Sequence, residues 1–199
     1  MTSLPGSEAP ADLADVEDAW RVADTQEKYA SPYISLQVDT IVAPDGSEHG
    51  RAVVRPNGAG GVLALDADDR VLLLQQYRHA VRRRLLEIPA GTLDVDGEGP
   101  EEAARRELAE EADVVADAWS VLLHLVVTPG YSTEQWTVFR AEGLGLVPDD
   151  ERTAREAEEA DMQHWWMPFD DAVRAVLAGR ITDAMTVASI LAEQARRAG

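Results

Sequence analysis

The strongest constraint on this 199-residue chain is a helix that carries three glutamates on one side. The segment Pro100 to Ala112 reads as the best helix in the sequence. Pro100 suits a first helical turn, Glu101 and Glu102 favour the positive end of the helix dipole, and most following residues are strong helix formers. At about 100° per residue, Glu107, Glu110 and Glu111 share an arc of roughly 100°. Ala104, Leu108 and Ala112 fall on the adjacent arc and can pack inward. Like charges four residues apart cost a helix about 0.2–0.5 kcal/mol, so this spacing does not serve helix stability. Two readings stay open from the residues alone. One is a solvated acidic face, partly relieved by Arg105 and Arg106. The other is a platform for a divalent cation, whose remaining positions water and phosphate oxygens would fill.

Strand-like segments surround the helix. Ile34, Leu36, Val38 and Thr40 alternate with polar residues, Pro44-Asp45-Gly46 signals a turn, and Arg51–Arg55 is the expected returning strand. Further strands are expected over Gly60–Asp66, Arg70–Gln76, Leu85–Ile88, Leu122–Val127, Thr137–Arg140 and Gln163–Met167. Two more helices are expected, Asp170–Ala178 closed by Gly179, and Asp183–Arg197. The pattern predicts an α/β (α+β) chain without internal repeats. Residues 1–20 form an acidic mobile tail in this reading, residues 21–57 an N-terminal β region, and residues 58–199 the main domain.

Composition narrows the chemistry. The chain has no cysteine, which excludes disulfides, cysteine–zinc sites and thiol catalysis. Its net charge is −19, and nearly all of it sits in residues 1–20, 94–113 and 142–161. Such a surface disfavours nucleic acid and anionic membrane as partners. No apolar run approaches the roughly 18 residues of a membrane span. The first twenty residues carry five acids and no base, unlike a secretory leader, so a cytoplasmic location is expected. An anionic small substrate would need local countercharge, for which a divalent cation is the natural candidate.

Written out, residues 91–114 are GTLDVDGEGPEEAARRELAEEADV. The run resembles the signature of the Nudix hydrolase family through Gly91, Glu98, Arg106, Glu107, Leu108, Glu110, Glu111 and Val114. It departs in two places. Six residues separate Gly91 from Glu98, one more than usual, and Asp113 stands where glycine usually ends the helix. Asp tolerates a left-handed backbone better than most residues, so the helix stop can survive. The likeness extends from about Tyr33 onward. Gln75–His79, Leu85–Gly91, Thr128–Glu134 and Glu158–Met162 are similar to ADP-ribose pyrophosphatases, with Pro129 fifteen residues after Val114 as that branch's marker. Gly179–Ala184 resembles the start of the family's last helix, and Val53–Asn57 matches more loosely.

The resemblance implies a Nudix fold, a mixed β-sheet sandwiched between helices with an N-terminal antiparallel β extension. It implies an Mg²⁺-dependent hydrolase, with Mn²⁺ as a substitute, that cleaves ADP-ribose to AMP and ribose 5-phosphate. It implies Glu107, Glu111 and the Ala90 carbonyl as metal ligands, with Glu110 a ligand or an outer support. Arg106 would orient the carboxylates, and Glu98 would hold the loop against the helix. Glu159, or its neighbour Glu158, would be the general base. Arg78, Arg84 in the run Arg82–Arg84, and Glu134 would face substrate. Arg51 would reach the partner's site across a homodimer. Two alternatives accompany this reading: a Nudix enzyme for another sugar nucleotide or dinucleotide, and a non-catalytic nucleotide sensor. Intact Glu107, Glu110 and Glu111 argue against the sensor. The histidines at 79, 124 and 164 and the tryptophans at 119, 136, 165 and 166 are expected to serve packing, surface or interface, although one aromatic could stack an adenine.

Overall fold

The computed structural model describes residues 6–153 and 161–199. Ten strands and three helices appear among them: β1 (Val22–Ala30), β2 (Ile34–Val42), β3 (Glu48–Pro56), β4 (Ala59–Ala64), β5 (Arg70–Arg78), β6 (Arg83–Glu87), β7 (Ala90–Thr92), α1 (Pro100–Ala112), β8 (Val114–Val126), β9 (Gln135–Leu146), β10 (Gln163–Pro168), α2 (Phe169–Leu177) and α3 (Ala184–Ala198). They form three sheets, ordered β1-β2-β3, β10-β5-β6 and β7-β4-β9-β8. The last sheet is mixed, because β4 and β9 run parallel while its other pairs are antiparallel. Among the described residues no helix is long and apolar enough to cross a membrane.

All six residues of β4 are buried, so its alternation supplies two cores at once. Val62 and Ala64 pack with Ala104 and Leu108 of α1, along with Leu72 and Leu74 of β5. Leu63 and Leu65 pack on the opposite side with Phe169 and Ala172 of α2 and Ile190 of α3. The expected inward arc of α1 is thus present at Ala104 and Leu108, while Ala112 is only half-buried. A Cβ on Gly60 would collide with the Pro100 carbonyl, so glycine is what lets the start of α1 lie directly on β4.

Helix α1 ends as its sequence suggests. Asp113 adopts the left-handed conformation at φ 56° and ψ 32°, and its N–H donates to the Ala109 carbonyl at 3.1 Å. At the other end the Gly99 N–H donates to Glu102 Oε2 at 2.7 Å, half of a capping box.

Strands β1, β8 and β9 differ from the sequence expectation. Strand β1 is exposed along all nine residues and lacks apolar alternation, so pairing with β2, not burial, defines it. Strands β8 and β9 are thirteen and twelve residues long. Their polar stretches are held by the mutual ladder from Val114↔Leu146 to Val126↔Gln135.

The β1-β2-β3 sheet touches the rest of the chain at the Thr128–Glu134 loop. The Val54 N–H donates to the Tyr131 carbonyl at 2.8 Å, and the Thr133 N–H donates to the Val54 carbonyl at 3.0 Å.

Candidate active site

Residues Glu87 to Gly91, running from the end of β6 into β7, form the floor of the site. Above them stands the acidic face of α1. Glu111 is buried, and its Oε2 accepts the Ala90 N–H at 3.0 Å. Glu107 rests over Gly91, where a Cβ would overlap its carboxylate. Two of the three grouped glutamates therefore press on adjacent residues of one short strand.

Arg106 organises the outer edge of this face. Its Nε and Nη2 form a fork onto Glu98, each at 3.0 Å. Its Nη1 donates to Glu107 at 2.6 Å and to Glu110 at 3.1 Å. The guanidinium is pushed above its ordinary value, first by the hydrogen bonds to Glu98 and then by the charge of Glu107, against an opposing desolvation. Glu98 is correspondingly held below the usual carboxylate range by Arg106. The loop of unusual length between Gly91 and Glu98 thus still delivers Glu98 to the helix.

The donors on this face are all oxygens, which is the chemistry that hard divalent cations take. Among the described residues no three His, Cys, Asp or Glu side chains already converge as a ready ligand set. Glu107 and Glu110 instead share Arg106, and Glu111 holds a backbone amide. The carboxylates of Glu107, Glu110 and Glu111 beside the backbone at Ala90 still fit such an ion by donor type.

Beyond Glu111 lies a cationic group. Arg78, at the end of β5, forms a bidentate pair with buried Glu87, with Nη2 to Oε2 at 2.6 Å and Nε to Oε1 at 3.0 Å. Gln76 donates to the same carboxylate at 3.1 Å. The hydrogen bonds that Arg78 donates to Glu87 raise its guanidinium above its ordinary value, helped by the charges of Glu111 and Asp183. A cavity of about 230 Å³ opens here, lined among others by Arg78, Glu87, Trp136 and Asp183.

The remaining expected residues are more dispersed. Arg84 on β6 points to Asp161, donating to its carbonyl at 3.2 Å and pairing with its carboxylate. Glu158 and Glu159 lie outside the described residues. Glu134 accepts the Trp136 indole N–H at 3.0 Å, which fixes that ring beside the Arg78 cavity. Arg51 lies on β3 and lines a separate cavity with Pro129, Tyr131 and Ser132 of its own chain. His164 donates to the Glu111 carbonyl at 2.6 Å, a packing role at the end of α1.

Sequence reasoning missed Glu87, Gln76, Asp183 and Thr186. Glu87 had a visible signal: an acid inside the run Leu-Leu-Glu-Ile must either face water or find a buried partner. The partner, Arg78, is across the β5–β6 pairing and was not legible as such.

The NUDIX domain model matches residues 54–187 of this chain. An ADP-ribose pyrophosphatase of Mycobacterium tuberculosis is 37% identical over 183 residues, covering 92% of this chain and 87% of that protein. A methanol dehydrogenase activator of Bacillus methanolicus is 30% identical over 166 residues, covering 83% of this chain and 88% of that protein. In three dimensions the chain is similar to a crystal structure described as an ADP compounds hydrolase. The TM-score is 0.74 at 18% identity, covering 91% of this chain and 95% of that one. That likeness supports the fold.

Proposed function

Since this chain belongs to the Nudix family, we propose that it is a hydrolase of pyrophosphate bonds that cleaves ADP-ribose to AMP and ribose 5-phosphate, with Mg²⁺ as its cofactor. The observation that carries the reading is the union of two features. Glu111 and Glu107 of the acidic face press on Ala90 and Gly91, and the Arg78–Glu87 pair lies at the other end of the same five-residue floor.

The chemistry follows from charge. A pyrophosphate linkage is an anion that repels an attacking hydroxide. When bound, Mg²⁺ neutralises that charge, polarises the phosphorus–oxygen bonds and acidifies water. Glu107 and Glu111, with Glu110 and the Ala90 carbonyl, would hold it. Arg106 keeps Glu107 and Glu110 together through one guanidinium while Glu98 restrains that guanidinium from behind. Arg78, oriented by Glu87, presents the cation for a substrate phosphate. Glu159, or Glu158, takes a proton from the attacking water. Arg84 pairs with Asp161, and Glu134 braces Trp136 on the substrate side.

The domain division at residues 20 and 57, the cytoplasmic location and the homodimer belong to the same proposal. Support for the dimer is the β1-β2-β3 sheet itself. Trp20, Val22, Tyr29, Tyr33 and Ile34 are all exposed, more apolar surface than a lone three-stranded sheet normally leaves in water. A partner's copy would cover it and could bring Arg51 to the neighbouring site.

A substrate panel tests the activity. ADP-ribose, GDP-mannose, NADH and ATP are incubated with and without Mg²⁺, and products are resolved by chromatography. AMP and ribose 5-phosphate from ADP-ribose, only with the metal, is the expected result. Faster turnover of another substrate reassigns the selectivity, and no turnover of any of them removes the enzymatic reading.

A further inference from the structure

The floor segment Glu87–Gly91 contacts Arg78, Glu107 and Glu111 of the proposed site, and its residues are tied to β5, β4, α1 and α3. Glu87 clamps Arg78. The Pro89 carbonyl accepts the Val62 N–H of β4 at 2.9 Å. Ala90 donates to Glu111, and Gly91 underlies Glu107. Between them the Ile88 N–H donates at 2.9 Å to the hydroxyl of Thr186, a residue ninety-eight positions later in α3. Thr186 is fully buried.

The Thr186 hydroxyl has one proton, and it is committed. It donates at 2.8 Å to Asp183 Oδ2, which also caps α3 by accepting the Thr186 N–H at 2.8 Å. A hydroxyl fixed as donor on one side turns its lone pairs to the other, so Asp183 sets the orientation in which Thr186 receives Ile88. Asp183 also lines the Arg78 cavity. A hydrogen-bonded relay therefore runs from the wall of that cavity, through buried Thr186, into the middle of the floor.

We propose that Thr186, oriented by Asp183, is a positioning residue for the reaction: it fixes the Glu87–Gly91 segment so that Arg78 on one side and Glu111 on the other face the same substrate. Loss of this tie lets the floor shift between its two ends. The α1 carboxylates and the Arg78 cation then fall out of register although none of them has changed. Misplacement of about 1 Å between such groups can cost up to roughly 10²-fold in rate. The kinetic side of this proposal rests on the pyrophosphatase reading above, and the structural side does not.

The test compares Thr186→Val, which keeps shape and removes the hydroxyl, with Thr186→Ser, which keeps the hydroxyl. Two readouts are taken on the full-length protein well below its melting temperature: kcat and KM for ADP-ribose with Mg²⁺, and amide hydrogen exchange at Ile88, Ala90 and Leu63 by NMR. In Thr186→Val the amides of Ile88 and Ala90 are expected to exchange at least tenfold faster while Leu63 in β4 is unchanged, and kcat is expected to fall about 10- to 100-fold. Thr186→Ser is expected to restore both. Asp183→Ser retains a helix cap and should show the same two changes at smaller size, which keeps the test open if Thr186→Val does not fold. Faster exchange confined to Ile88, with Ala90 and kcat at wild-type values, would overturn the proposal by reducing Thr186 to a local cap. If the wild-type protein does not cleave ADP-ribose, the functional reading fails, and the Ala90 exchange still decides the relay.

Discussion

The carboxylate of Glu107 occupies the space in which a side chain at Gly91 would stand. Glycine at this point of β7 is therefore not a turn requirement but a vacancy that α1 fills. Gly91→Ala should drive the Glu107 carboxylate off the strand. The expected outcome is a large loss of kcat with little change in melting temperature, because Gly91 is only half-buried at the edge of its sheet. Steady-state kinetics and a thermal melt on the same preparation check it.

The acidic run Glu158-Glu159 carries the proposed base. Glu159→Gln should lower kcat by about 10²–10⁴ while leaving KM nearly unchanged, with a smaller effect from Glu158→Gln. The opposite ranking assigns the base to Glu158. Two silent variants would remove both glutamates from the reaction.

How far the sequence reached depended on whether a residue's role was local. The arc of Glu107, Glu110 and Glu111, the Asp113 stop and the Pro100 start all follow from the local geometry of one helix and its cap, and they were legible. Strand β4 was legible because burial on both faces leaves an apolar run. Strand β1 was not, since Val22–Ala30 is polar and exposed and is defined only by β2. The same divide runs through the site. Arg106 and Glu98 are eight residues apart and belong to one motif. Arg78–Glu87 depends on strand pairing, and Ile88–Thr186 spans ninety-eight residues, so neither partner could be named in advance. Arg78 was expected to face substrate, and the fold also pairs it with a buried carboxylate.

A second buried charge cluster sits away from the site. Glu193 in α3 is fully buried and accepts from Arg140, Arg196 and Arg197, and Arg197 also pairs with Asp69 and stacks over Phe169. Burial pushes the Glu193 carboxyl up, but the hydrogen bonds from Arg196 and Arg197 and the charge of Arg140 prevail and bring it down to about 2. A depressed folded pKa means the unfolded chain binds the proton first, so this stabilisation is present above about pH 4.5 and is lost as pH falls toward about 2. Glu193→Gln should destabilise the protein at neutral pH by about 3–5 kcal/mol, the usual cost of breaking a buried ion pair. Its melting temperature should then fall less steeply than that of the wild type over this acid range. Parallel curves would remove Glu193 from the acid response.

The exposed N-terminal sheet predicts assembly. Sedimentation at micromolar concentration should show a homodimer. Removal of residues 1–56 should give an aggregated or inactive protein, whereas removal of residues 1–12 should change little. A fully active monomer would reject both the interface and the role of Arg51.

The central claim is that the acidic face of α1 over Ala90–Gly91 holds the catalytic metal. Glu111→Gln tests it most directly, because glutamine preserves size, helix propensity and an oxygen acceptor for the Ala90 N–H while removing the charge. Turnover of ADP-ribose is measured at saturating Mg²⁺, with circular dichroism as the control for folding. A native spectrum with kcat reduced by more than the roughly 10–100-fold typical of losing an outer partner of a metal ligand is the predicted result. A native spectrum with near-normal kcat would contradict the metal assignment.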